Sequence, residues 1–227
     1  MSILENLRRV QEQIAEAACR SGRDPEEIKL VAVTKTVPVG KIQEVLAAGV
    51  YSLGESRVQE LLRKCLHIPA EVEWHFIGHL QSNKVRNIID QVKLIHSLDR
   101  WSLAVEIDRR AREKNLVMPV LVQVNVAKEA YKHGLPVNDV RPFLEKVARL
   151  PGLSVQGLMT MAPLVPHPEE ARPVFRELRM LAKRLAASVP WVMMKYISMG
   201  MSNDFAVAVE EGANIIRVGS AIFNNRR

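Results

Sequence analysis

The chain of 227 residues carries 32 Lys+Arg against 25 Asp+Glu, a formal net charge of +7, with 48% hydrophobic and 25% charged residues. That apolar content excludes a disordered chain, and 11 Gly and 12 Pro without clustering exclude collagen-like and low-complexity classes. No apolar run approaches the roughly 18 residues that a membrane-spanning helix needs, so no membrane partner is expected.

The first twenty residues place Ile3, Leu4, Leu7, Val10 and Ile14 at helical spacing, with charged residues between them, and read as an amphipathic helix. KLVAVTK (29–35) then reads as a buried strand, and VGKIQEVLAAGV as a helix closing on Gly49. YSLGE (51–55) is a second strand before helical SRVQELLRKCL. EWHFIG (73–78) is a third, before helical NKVRNIIDQ. KLIHSL (93–98) is a fourth, followed by DRWSLAVEIDRRAREKN with Asp99 as its expected N-cap. MPVLVQVNV (118–126), LSVQGLMTM (153–161), MKYISMG (194–200) and NIIRVG (214–219) complete eight strands, separated by helical VNDVRPFLEKVARL, PEEARPVFRELRMLAKRLAASV and DFAVAVEEG. Eight alternations in this length predict one α/β domain over residues 1–227, a single closed (β/α)8 TIM barrel with an extra N-terminal helix. An open doubly wound sheet would carry a G-x-G-x-x-G turn after the first strand, and TKTVPVG does not supply one.

Cys19 and Cys65 lie far apart and outside any CxxC pattern, so reduced thiols in a cytoplasmic protein are expected. The basic residues interleave with acids, and the one basic pair at an end is Arg226–Arg227. With aromatics at 5% and no RNA-recognition or zinc-finger motif, no nucleic-acid partner is expected, and the positive balance reads as a surface that attracts small anions.

Barrel active sites sit at the C-terminal strand ends. Lys35 ends the first strand, where partial desolvation would favour a neutral amine able to form a Schiff base. SMGMS (198–202) and VGS (218–220) put Ser198, Ser202, Gly219 and Ser220 after strands seven and eight, where such barrels often cup a phosphate. Arg217 points inward near the end of strand eight and needs an anionic or acceptor group. A lysine for an aldehyde, a small-residue loop for a phosphate and an arginine facing a ring together fit pyridoxal 5′-phosphate (PLP). His75 and His79 have H-x₃-H spacing but sit on a strand and a turn, so no metal site is expected.

The stretches KLVAVTKTVP, GESRVQE, WHFIGHLQSNK, IHSLD, VLVQVN with KHG, GLMTM and SMGMSNDFAVAVEEGANIIRVGSAIF run from about residue 29 to 223. In them the chain closely resembles the pyridoxal phosphate homeostasis protein family, whose barrel is related to the N-terminal domain of alanine racemase. The resemblance implies a PLP aldimine on Lys35, Arg217 by the pyridine nitrogen, and Ser202, Gly219 and Ser220 on the phosphate, with Asn125 and Met159 as pocket walls. It also implies a cytoplasmic monomer that acts in vitamin B6 and amino-acid homeostasis without established turnover. PLP-dependent apo-enzymes are then expected partners, and a weak amino-acid racemase is the alternative. Two departures stand out. Gly54-Glu55-Ser56 replaces the common GEN, and VNVAKEAYKHG keeps Lys132 and Gly134 around a divergent middle. An arginine at the pyridine nitrogen makes the ring a weaker electron sink than a carboxylate would. No second domain is expected to supply a second base, and Tyr51, Tyr131 and Tyr196 stand in no second-base motif.

Overall fold

The eight apolar runs become eight parallel strands that pair in chain order: β1 (Lys29–Val33), β2 (Ser52–Glu55), β3 (Glu73–Phe76), β4 (Leu94–Leu98), β5 (Met118–Gln123), β6 (Leu153–Met159), β7 (Tyr196–Ser198) and β8 (Ile215–Val218). They are seen in a computed structural model that describes residues 2–129, 133–189 and 191–224. β8 returns to β1 in a register running from Lys29↔Ile215 to Ala32↔Val218, which closes the sheet into a (β/α)8 barrel. Strand alternation sorts the side chains. Ala32, Leu53, Phe76, Ile95, Val120, Leu158 and Ile216 join the core beneath the helices, while Val31, Leu94, Leu121, Met159 and Ile215 form a separate small cluster in the lumen.

The outer ring comprises α1 (Ile3–Arg20), α2 (Val39–Ala47), α3 (Val58–Cys65), α4 (Trp101–Glu113), α5 (Val140–Val147), α6 (Arg172–Ser188), α7 (Phe205–Glu210) and α8 (Ser220–Phe223). α1 starts at a Ser2–Glu5 capping box and buries Ile3, Leu7, Val10 and Ile14. It packs on α2, α7 and α8, filling the ring where α8 is a single turn. Where a helix is expected over NKVRNIIDQ, a 3-10 segment Ser82–Asn87 stands instead, and it still buries Val85. Asn83 and Asn87 are poor helix formers, which favours the tighter turn. Several strands end earlier than their apolar runs, at Val33, Gln123 and Met159, because barrel pairing stops there and the chain leaves for the rim. Asp99 does not cap α4. Arg100 holds the N-cap position, and the Asp99 carboxylate binds its guanidinium at 2.7 Å.

One seam of the ring is ionic. Arg172 reaches Glu169 and Glu210 at 2.6 Å and Glu211 at 3.2 Å. Arg176 and Arg179 meet Glu211 at 2.8 and 3.2 Å, and Arg20 of α1 meets Glu210 at 2.8 Å. Between β6 and β7 the constraint is steric. Gly157 has φ +148, and a Cβ there would lie 1.9 Å from the Tyr196 carbonyl oxygen. Gly157→Ala is therefore expected to destabilise the barrel by roughly 1–3 kcal/mol, as overpacking against backbone does. A lowered urea midpoint with an unchanged m-value checks this.

Candidate functional site

The turn after β1 is built from buried charges on α3 and β2. Lys64 and Glu60 lie one helical turn apart, and both are buried with Glu55. The Lys64 ammonium donates to the Thr34 carbonyl at 2.6 Å and contacts Glu55 directly. The Thr34 hydroxyl donates to Glu55 Oε1 at 3.2 Å. The Thr36 N–H donates to Glu60 Oε2 at 2.9 Å, which, with Lys64 alongside, holds the Glu60 carboxyl below its usual range. Thr36 has φ 60, a conformation that non-glycine residues adopt at a cost. Both neighbours of Lys35 are thus fixed. Lys35 itself stands in the turn and is exposed, not partly desolvated at a strand end as its apolar run suggests. Lys64→Met leaves Glu55 buried without its cation, and a loss of about 3–5 kcal/mol is expected in urea unfolding.

A second polar system crosses the lumen from β8 to β3. Arg217 donates to the Ser198 hydroxyl and, at 2.9 Å, to the Thr160 carbonyl. Ser198 Oγ lies 3.0 Å from His96 Nδ1, and His96 Nε2 lies 2.9 Å from His75 Nδ1. An arginine only donates, so Ser198 accepts from it, which leaves the hydroxyl proton available to be donated to His96 Nδ1. In that arrangement His96 carries its proton on Nε2 and donates it to His75 Nδ1. Burial lowers the Arg217 pKa to about 10, an effect Asp204 opposes, so the guanidinium stays charged at neutral pH. Burial holds His75 down at about 4, and His96 is lowered well below its usual value by burial and by His75 and Arg217. Both imidazoles are neutral at pH 7.

The sign follows from proton uptake. The unfolded chain binds the His75 proton near pH 6.5 and the folded chain near 4, so stability falls as pH drops through that window. The loss from His75 is on the order of 3 kcal/mol. Urea midpoints from pH 7 to 4.5 should show a shallower decline for His75→Gln than for the wild type.

Between these two systems lies a cavity of about 390 Å³ on the C-terminal rim. Lys35, Arg217, Ser202, Gly219 and Ser220 all line it. Ser202 Oγ accepts the N–H groups of Gly219 and Ala221, both at 3.2 Å. A Cβ on Gly219 would meet Val33 Cβ at 3.2 Å and the Val33 carbonyl at 3.3 Å. The bare backbone therefore forms a cradle on that wall. Ser56 lines the opposite side, its N–H held by Glu55 Oε2 at 2.9 Å, and Gly78 lets the Ser56 backbone approach.

Three expected residues do not line the cavity. Ser198 is fully buried beneath Arg217, and Met159 is fully buried in the lumen cluster. The Asn125 side chain instead ties its own loop, donating to the Glu129 carbonyl at 2.9 Å. Gln123 and Met161, each two residues away along the chain, line the cavity. Asp204 also lines the cavity. It accepts the Met201 N–H at 2.6 Å, and burial raises its carboxyl. Lys132, Tyr131 and the Arg226–Arg227 pair lie outside the described residues. The H-x₃-H histidines separate. His75 is inside the lumen, while His79 stands on the cavity rim with its ring stacked on His133 at 3.9 Å. Burial and the neighbouring His133 pull His79 down.

The structure thus joins a closed eight-stranded barrel to a rim cavity lined by a lysine, a buried arginine and a small-residue loop. The family model for the alanine racemase N-terminal domain matches residues 3–226. The pyridoxal phosphate homeostasis protein of Aquifex aeolicus is 44% identical over 228 residues, spanning 100% of both chains. That of Escherichia coli K12 is 35% identical over 233 residues, covering 99% of this chain and 97% of the relative. The structure of PipY from Synechococcus elongatus with PLP bound is 37% identical, with TM-score 0.82 over 93% of this chain and 100% of that one. The chain belongs to the alanine racemase N-terminal domain family and, within it, to the pyridoxal phosphate homeostasis proteins. Among the described residues, no helix is long and apolar enough to cross a membrane.

Proposed function

We propose that the rim cavity binds PLP and that the protein acts in PLP and amino-acid homeostasis. The observation that carries this reading is the meeting of Lys35, Arg217 and the Ser202–Gly219 cradle at one cavity of ligand size. The bound PLP of PipY, at 37% identity, supports the cofactor. When bound, PLP supplies an aldehyde that condenses reversibly with a primary amine, releasing water. Lys35 provides the amine from a turn fixed on both sides. Ser202, Gly219 and Ser220 form the phosphate wall. Arg217 is charged and held by Ser198 and Thr160, and it presents a donor to the ring end of the cavity.

The protein holds and delivers PLP and does not turn over a substrate. An arginine that stays charged is a poor partner for a protonated ring nitrogen, and neither Tyr51 nor Tyr196 lines the cavity. Cys19 and Cys65 are free thiols, which suits the cytoplasm. PLP-dependent apo-enzymes are the recipients in this reading.

Visible absorption and borohydride trapping test it. The protein loaded with PLP should be yellow, and peptide mapping should recover the reduced label on Lys35. Lys35→Ala should lose the visible band while keeping its far-UV spectrum. A wild type that no added PLP turns yellow overturns the cofactor, and conversion of L-alanine to its D form overturns the carrier role.

A further inference from the structure

Three neighbouring strands each send one metal-type donor to the same point on the cavity rim. His79 follows β3, Asp99 follows β4, and His133 lies in the connection after β5. Their ligating atoms lie within 4.8 Å of one another. His79 Nδ1 is 3.7 Å and His133 Nδ1 is 4.0 Å from the same Asp99 oxygen, Oδ2. These separations are longer than a hydrogen bond of about 2.7–3.2 Å. They fall within the span of at most about 4.2 Å between two donors that each bind one ion at about 2.1 Å.

The carboxylate is already oriented. The Asp99 side chain is only 7% exposed, and its Oδ1 is held by Arg100 at 2.7 Å. Arg100 is anchored in turn on the Leu80 carbonyl at 2.6 Å. This leaves Oδ2 directed at the two imidazoles, and a fixed outer partner of this kind is what sets the geometry of a metal-binding carboxylate. The two rings are stacked at 3.9 Å with their planes 16° apart, so converging on a shared ion at about 2.1 Å requires at least one imidazole to rotate out of the stack, and both are partly solvent-exposed and able to turn.

We propose that His79, Asp99 and His133 form a binding site for a divalent transition-metal ion of the zinc class at the mouth of the cavity. Two imidazoles and one carboxylate suit Zn²⁺, Co²⁺, Ni²⁺ or Cu²⁺ over Mg²⁺ or Ca²⁺. Three protein donors leave at least one coordination position for water or an oxygen ligand. His79 and His133 both line the cavity, so the ion would sit on the path to Lys35.

The test is Co²⁺ titration of tag-free protein, first as purified and again after loading with PLP, followed by visible d–d absorption and calorimetry. One equivalent should bind, with the band intensity of a four- or five-coordinate ion, and Zn²⁺ should displace it. His79→Ala and His133→Ala should each weaken binding by at least about tenfold, and Asp99→Asn should weaken it too. His67→Ala and His167→Ala should leave it unchanged. Absence of stoichiometric binding by the wild type overturns the site whatever the variants do. So does binding that the His79→Ala/His133→Ala double variant retains. Because the titration reads the metal alone, its failure leaves the PLP reading standing.

Discussion

The pairing of β8 with β1 is the constraint on which the rest depends. Lys35 and Arg217 are separated by most of the chain, and in an open sheet their strands would be opposite edges. Closure sets Val31 beside Arg217 and Ala32 beside Val218, so the turn after β1 and the loop after β8 share one wall. The Gly219 cradle exists because Val33 is its neighbour across that closure. Nothing local in either segment would create it.

Burial then assigns charge within the closed barrel. In the lumen Arg217 stays charged while two imidazoles are kept neutral. Ser198 joins them because its hydroxyl can accept from the arginine and still donate to the ring. Outside the sheet the logic differs. Lys64 and Glu55 are both buried, and as an ion pair they contribute little net stability compared with an apolar pair of similar volume. Their contribution is directional: they fix the backbone on either side of Lys35. The exposed lysine itself needs only to be aimed.

Much of this was legible in the sequence, and the residues show where legibility ends. The period of the apolar runs gave eight strands, and small residues after the last two marked the loop wall. Met159 and Asn125 were misplaced relative to the cavity because an apolar run does not reveal where pairing stops. Met161 and Gln123, two residues away along the chain, occupy the wall. The anchors Glu60 and Lys64 read as ordinary charges at helical spacing, since their burial depends on the packing of α3 against the first turn. The spacing of His75 and His79 linked two residues that the fold separates, while His133, more than fifty positions downstream, is the true neighbour of His79. That adjacency comes from the order of β3, β4 and β5 around the barrel.

The ionic seam among Arg20, Arg172, Arg176, Arg179 and the Glu210–Glu211 pair has a thermal consequence. Water's hold on charged groups weakens on heating, so the desolvation cost of such a network falls as temperature rises, while apolar stabilisation per unit area levels off. The ring therefore changes character with temperature. In the cold its apolar interfaces dominate, and in the heat the joint between α1, α6 and α7 carries a growing share. That joint lies beside the short α8, where the barrel has the least helix to cover it.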